Sequence, residues 1–322
     1  MSEPSSASRP AVLAVMKLPP FYLEPLRAHF TVYDRIHETD PELFAKVAPT
    51  IRAITGGGES QVSRALLDQL PAVEMISIMG VGYDKVDVPA AIERKVPVSH
   101  TPEVLNDEVA DLALALMLSI ARRVPQADRY VRDGSWAEKG NMPFSTKMSG
   151  KRLGIVGLGR IGKAIAKRAE AFGMSIAYTG RSQQAGVGYA YHASAKALAA
   201  AVDFLVVITP GGEGTRKMIN REVLEALGPR GYLINVARGT VVDEAALIQA
   251  LQDKVIAGAG LDVFENEPQV PQALRELDNV VLTPHMASAT HETRQAMADL
   301  ALANLQAHFA GQPLPSPVPE CR

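Results

Sequence analysis

Three polar side chains stand where apolar runs end. Arg238 follows Leu233-Ile234-Asn235-Val236-Ala237, Glu267 follows Leu261-Asp262-Val263-Phe264, and His285 follows Leu282-Thr283-Pro284. Ligands of open parallel sheets bind outside the carboxyl ends of strands, so polar residues emerging there are candidates for chemistry. A guanidinium, a carboxylate and an imidazole supply what reduction of a 2-keto acid needs beyond a hydride donor. Arg238 could hold the substrate carboxylate and polarise the carbonyl through its planar fork. His285 could deliver the proton, and a nearby Glu267 would favour the imidazolium by raising the histidine pKa. Each also has an ordinary structural reading: Arg238 as an ion-pair residue, Glu267 as a solvated loop acid, His285 as a satisfied histidine at a strand end. Their joint placement favours the chemical reading.

The hydride donor has its own candidate site in Gly154-Ile155-Val156-Gly157-Leu158-Gly159-Arg160-Ile161-Gly162. Arg152 to Leu158 reads as a buried strand, and Ile161, Ala164, Ile165, Ala169 and Phe172 recur at helical spacing up to Gly173, a plausible C-cap. In such a strand, glycine turn and helix, Gly157 permits the tight turn, Gly159 lets a pyrophosphate approach the backbone, and Gly162 lets the helix pack on its strand. The helix N-terminus offers free N–H groups to the phosphates. Met174 to Thr179 reads as the next strand, whose end usually carries an acid for a ribose 2′-hydroxyl. Gly180 occupies that place, followed by Arg181 and Ser182, a cation and a hydroxyl suited to a 2′-phosphate. The expected cofactor is therefore NADPH, with NADH the weaker alternative. Arg181 as a plain solvated loop arginine is the competing reading.

The elements that must position these residues form two alternating series. Before the glycine turn, Ala11 to Lys17, Val32 to Ile36, Ile51 to Thr55, Met75 to Met79 and Val96 to His100 read as strands. Phe21 to Phe30, Pro41 to Val47, Ser63 to Leu70 and Val88 to Glu93 read as the helices between them. After it, strands are expected over Asp203 to Ile208, Tyr232 to Val236, Ile256 to Asp262 and Val280 to Leu282, with helices over Arg221 to Leu227 and Glu244 to Gln252. Alternation of this kind predicts α/β architecture with parallel sheets covered on both faces. Asn106 to Arg122 reads as a long apolar helix at the junction of two domains, opened by Asn106-Asp107-Glu108 as cap and first-turn acids. Tyr130 to Gly150 shows no clear periodicity and reads as a loop or projecting arm. Glu292 to Ala310 is a final amphipathic helix expected to return to the first domain. The expected division is 1–101 completed by 290–322, and 102–289.

Composition narrows the function classes. The 322 residues suffice for two domains with cores of their own, and 47% hydrophobic with 21% charged residues describes a globular protein. A net charge of −2 carries no basic footprint for nucleic acid. The seven histidines show no close pair or metal-ligand spacing, so no metal site is expected. Cys321 has no second cysteine to pair with, which suits a reducing, cytoplasmic compartment. Met1 to Pro10 is Ser/Pro-rich without an apolar run of signal-peptide type and is expected to fray. Leu112 to Ala121, the most apolar stretch, is too short for a bilayer, so no membrane partner is expected.

Six motifs in order make a resemblance specific. Gly80-Val81-Gly82-Tyr83-Asp84, Val109-Ala110-Asp111-Leu112-Ala113-Leu114, Gly157 to Gly162, Asn235-Val236-Ala237-Arg238-Gly239, Gly260-Leu261-Asp262-Val263-Phe264-Glu265 with Glu267-Pro268, and Pro284-His285 span nearly the whole chain. With them the sequence resembles the D-2-hydroxyacid dehydrogenase family, and within it the glyoxylate/hydroxypyruvate reductases. The resemblance implies two Rossmann/flavodoxin-like doubly wound domains with the active site in the cleft between them, and an Arg/Glu/His catalytic set on Arg238, Glu267 and His285. It implies that backbone N–H groups of Val81 and Gly82 meet the substrate carboxylate together with Arg238. Asp262 and the Val236 backbone would lie by the nicotinamide carboxamide, and Leu158 to Ile161 with Pro210 would line the dinucleotide. Hydroxypyruvate or glyoxylate would be reduced to the D-2-hydroxy acid by a homodimer, with Trp136 near the neighbouring active site. Gly56, Gly57 and Gly58 would face the cleft and suit a short, polar substrate, or form a plain turn. Ala287 departs from the commoner glycine. Other readings that stay open are 2-ketogluconate reductase, D-lactate or phosphoglycerate dehydrogenase, and a dinucleotide-sensing corepressor-like interaction protein.

Overall fold

The computed structural model describes residues 9–322 and divides into two compact units. The expectation of a frayed opening falls, but for its last two residues, outside the described residues. One unit comprises the chain through Leu105 together with Thr290–Arg322, the other Asn106–Ala289.

The first unit holds five parallel strands: β1 (Ala11–Ala14), β2 (Thr31–Asp34), β3 (Ile51–Gly57), β4 (Met75–Met79) and β5 (Val98–Ser99), in the order β2-β1-β3-β4-β5. β1 and β4 are buried along their whole length, as strands covered on both faces must be, which is why they read as unbroken apolar runs. The helix His291–Phe309 belongs to this unit and buries Met297, Ala298, Ala301 and Leu305. Its Ala301 carbonyl accepts a hydrogen bond from Ser77 Oγ of β4 at 2.9 Å. The chain therefore returns to its first sheet. The expected strand over Val32 to Ile36 stops at Asp34: Arg35 turns to φ +51°, and Ile36–Thr39 is a helical turn.

The second unit holds seven parallel strands: β6 (Arg152–Val156), β7 (Ser175–Thr179), β8 (Ala190–Tyr191), β9 (Phe204–Val207), β10 (Tyr232–Asn235), β11 (Gly258–Leu261) and β12 (Val280–Leu282). Their order, β12-β11-β10-β9-β6-β7-β8, reverses direction between β6 and β9. That is the topological switch point, where loops diverge and leave room for a ligand. The helix Asn106–Arg122 opens this unit and packs close to β11, since a Cβ built on Gly260 would meet Leu116 Cβ at 3.0 Å.

Further elements differ from the sequence reading. The stretch Tyr130 to Gly150, taken as a loop or arm, contains the helix Ser135–Lys139 and the end of the helix Val124–Arg132, which went unread. No residue of Val124–Arg132 is buried, so its helical pattern is not written in core-facing residues. The helix Ala195–Ala201 also went unread because its apolar face is mostly alanine, although Ser194 caps it by accepting from the Ala197 amide. Among the described residues, no helix is long and apolar enough to cross a membrane.

Candidate active site

Arg238, Glu267 and His285 follow β10, β11 and β12, which are neighbours in one parallel sheet, so all three leave the same edge. Local contacts then fix each one. Asn235, buried at the end of β10, accepts from the Ala237 amide at 3.1 Å and donates to the Arg238 carbonyl at 3.0 Å. This side-chain bracket holds the turn from which the half-buried Arg238 projects. Gly239 is required there, because an added Cβ would lie 1.9 Å from the Phe264 carbonyl carbon. The turn after β10 is thus pressed onto the backbone after β11, where Glu267 begins its approach.

Glu267 is held at both oxygens. Oε1 accepts from the Phe264 amide at 2.9 Å, and Oε2 lies 2.7 Å from His285 Nδ1. Burial by itself would raise its pKa, but the His285 hydrogen bond, the Phe264 amide, and the charges of His285 and Arg238 outweigh it, so the carboxyl is held below the usual carboxylate range. A carboxylate can only accept, so Nδ1 carries the proton in this pair. Nε2 is left as the nitrogen available to a ligand, with the ring one third exposed.

The His285 backbone adopts φ +49°, a left-handed conformation that costs energy for a residue with a Cβ. Asp262 supplies the restraint. Its carbonyl accepts from the His285 amide at 2.8 Å. Its buried carboxylate accepts from Thr283 Oγ1 at 2.6 Å, the Met286 amide at 2.9 Å and the Ala287 amide at 3.0 Å. Burial raises the Asp262 pKa, while these donors and the His285 charge act against that rise. Asp262 therefore organises the turn that presents His285, a role the sequence did not reveal. Ala287, the departure from the commoner glycine, is buried and contributes its amide to this turn.

The glycine turn follows β6 at the switch point. Gly157 has φ +103°, and a Cβ on it would lie 2.9 Å from the Ile208 carbonyl oxygen, so the turn nestles against the loop leading to the exposed Pro210. A Cβ on Gly162 would lie 2.3 Å from the Gly157 carbonyl oxygen, which ties the helix Arg160–Glu170 tightly to the turn. At Gly159, by contrast, an added Cβ meets nothing within 4 Å, and no side chain caps the helix that starts there. Open space in front of an uncapped helix N-terminus is what a pyrophosphate requires, so the residues present fit a dinucleotide. Leu158 is buried, whereas Arg160 is exposed and Ile161 half-buried at the first turn of this helix. Gly180, Arg181 and Ser182 follow β7 and are all exposed. Val236 is buried beside β9, its amide donating to the Val207 carbonyl at 3.2 Å.

In the first unit, Val81 and Gly82 lie in the loop after β4. The amide N–H groups of both have no hydrogen-bond partner among the described residues. His100 Nδ1 lies 3.0 Å from the Val81 carbonyl oxygen and so orients that peptide. The glycines that end β3 have a packing explanation within their own unit. A Cβ on Gly56 would lie 2.3 Å from Ser60 Oγ, and one on Gly57 would lie 2.7 Å from Met16 Sδ. The packing of their own unit is sufficient to account for these two glycines. Asn235 was read only as part of a motif, without its bracket on the Arg238 turn, and Gln184 escaped the sequence reading because nothing local signals it.

Residues 114–287 match the family described as D-isomer specific 2-hydroxyacid dehydrogenase, NAD binding domain. The chain is 50% identical over 277 residues to hydroxyphenylpyruvate reductase of Plectranthus scutellarioides, covering 86% of this chain and 88% of that protein. It is 49% identical over 269 residues to glyoxylate/hydroxypyruvate reductase A HPR2 of Arabidopsis thaliana, covering 84% and 86%. The crystal structure of the NADPH-dependent glyoxylate/hydroxypyruvate reductase SmGhrB of Sinorhizobium meliloti, in complex with NADP and malonate, superposes with a TM-score of 0.93 at 47% identity, covering 98% of both chains.

Proposed function

This chain belongs to the D-isomer specific 2-hydroxyacid dehydrogenase family, and from that premise we propose that it uses NADPH to reduce hydroxypyruvate and glyoxylate to D-glycerate and glycolate. The observation that carries the reading is the Glu267–His285 pair at 2.7 Å, on the ends of two neighbouring strands, the first of which lies beside the strand that leads to Arg238, in the sheet that also bears the glycine turn. The bound nicotinamide supplies the hydride to the carbonyl carbon. The protein supplies the rest. Glu267 holds Nδ1, so the proton leaves from Nε2 of His285 to the carbonyl oxygen. Arg238 offers its guanidinium to the keto-carboxylate, and the free amides of Val81 and Gly82 suit the same anionic group. Asp262 keeps His285 in its left-handed turn, and with the Val236 backbone is assigned to the nicotinamide end.

Gly157, Gly159 and Gly162 with Leu158, Arg160, Ile161 and Pro210 are assigned to the dinucleotide. The absence of a carboxylate at Gly180, and the exposure of Arg181 and Ser182, support a 2′-phosphate there and NADPH over NADH. SmGhrB, a relative of known structure, is NADPH-dependent, which agrees. Exposed Val124, Val131, Trp136 and Phe144 support a homodimer formed through the segment that carries them, and the lone cysteine suits a cytoplasmic location.

The decisive experiment is initial-rate kinetics with NADPH and NADH against hydroxypyruvate, glyoxylate, pyruvate, 2-ketogluconate and 4-hydroxyphenylpyruvate. The highest kcat/KM is expected with NADPH and with hydroxypyruvate or glyoxylate. The 50% identity to a hydroxyphenylpyruvate reductase favours an aryl keto acid as the second reading, which a faster rate with 4-hydroxyphenylpyruvate would establish. A preference for NADH would reverse the cofactor assignment, and no rate with any keto acid would end the reductase reading.

A further inference from the structure

The loop after β7 is tied to the glycine turn by one side chain. Gln184 Nε2 donates to the Leu158 carbonyl at 2.7 Å, across 26 residues of sequence, and its own backbone amide donates to Tyr178 Oη at 2.7 Å. Tyr178 is buried in β7, its ring tilted against Tyr191 with centroids 5.4 Å apart, and Tyr191 Oη donates to the Gly180 carbonyl at 3.4 Å. The segment bearing Arg181 and Ser182 is thereby held at Gly180 and at Gln184, on either side of the two residues assigned to the 2′-phosphate.

The Leu158 contact has a directional effect. A carbonyl oxygen only accepts, so the Gln184 amide nitrogen fixes which way the Leu158–Gly159 peptide faces. That peptide is trans, so its N–H points opposite to its C=O. The Gly159 N–H is turned away from Gln184, and it has no partner among the described residues. Gly159 is also where an added Cβ meets nothing within 4 Å.

We propose that Gln184 is a positioning residue for the nucleotide, setting the Gly159 amide toward the pyrophosphate while holding the Arg181-Ser182 turn, so that selectivity for NADPH depends on it. The inference rests on the NADPH assignment above and deepens it. An anchored loop presents its cation and hydroxyl without first having to be ordered, and that advantage is lost to NADH, which has no 2′-phosphate to meet them.

The test is titration of the enzyme, without keto acid, with NADPH and with NADH, read by nucleotide fluorescence. Gln184→Met keeps the chain length and removes the donor. It should raise the Kd for NADPH by about 3–10-fold, the worth of one hydrogen bond, and that for NADH by less, lowering the NADPH preference. Tyr178→Phe should shift the preference the same way, and it carries the test should Gln184→Met fail to fold. In an Arg181→Ala background, Gln184→Met should leave the ratio of the two Kd values unchanged, since Gln184 acts on that ratio through the Arg181 turn. A purely structural role would lower Tm and weaken both nucleotides equally, which overturns the proposal. So does a wild-type ratio in Gln184→Met and Tyr178→Phe when Arg181→Ala alone abolishes the preference. If Arg181→Ala alone leaves the preference intact, the NADPH assignment falls and this inference with it.

Discussion

The two parallel sheets use their strand ends differently. At the end of β3 and just after β4 in the first unit, Gly56, Gly57 and Gly80 have neighbouring atoms of that unit within 3 Å of where a Cβ would sit. What that edge offers a ligand is backbone, the free amides of Val81 and Gly82. After β6 and β7 in the second unit, Gly159 and Gly180 face open space, and charged side chains stand after β10, β11 and β12. A glycine can therefore mark either a packed corner or a vacancy kept for a ligand. The two are identical in sequence, and the neighbours decide which is present.

The largest effect expected from this contrast is at His285. His285→Ala should lower kcat by about 10²–10⁴-fold, the usual worth of a general acid, with only a modest fall in Tm from the lost Glu267 hydrogen bond. A large fall in Tm with near-normal turnover would recast this strand end as structural. Next comes a pair of glycines. Gly56→Ala puts a Cβ 2.3 Å from Ser60 Oγ and should cost about 1–3 kcal/mol in thermal or denaturant unfolding. Gly159→Ala should leave unfolding unchanged and weaken NADPH binding in fluorescence titration. Equal Tm losses at the two positions would erase the distinction drawn between the sheets.

The smallest effect is the pH dependence of Glu267. Its folded pKa is depressed, so ionisation of this carboxyl stabilises the native state fully above the unfolded value of about 4.3. That contribution disappears as pH falls through the lower folded value. The Tm advantage of wild type over Glu267→Gln should thus be greatest above about pH 5 and shrink on acidification. A gap that widens as the pH drops would mean that the carboxyl is not held below its ordinary range.

How much of this was legible follows from which interactions are local. The glycine turn was readable because strand, turn and helix are contiguous, and the structure places Gly157 at φ +103° and Gly162 against the turn as that reading requires. Arg238, Glu267 and His285 could be picked out one by one because each interrupts an apolar run. The helix Val124–Arg132 was missed although Val124, Ala127 and Val131 stand at helical spacing; none of its residues is buried, so no core face sets it apart.

By itself, the amino-acid order determined the alternation of strands and helices, the position of the nucleotide turn and the residue types available at each strand end. Tertiary structure alone decided that β10, β11 and β12 lie side by side, that Glu267 meets Nδ1 of His285, that Asp262 serves the turn around His285, and that Gln184 finds Leu158. The reason is physical. Apolar spacing records which face of an element is buried, but which strands become neighbours is settled only when the sheet assembles, and hydrogen bonds between distant segments have no local pattern to announce them.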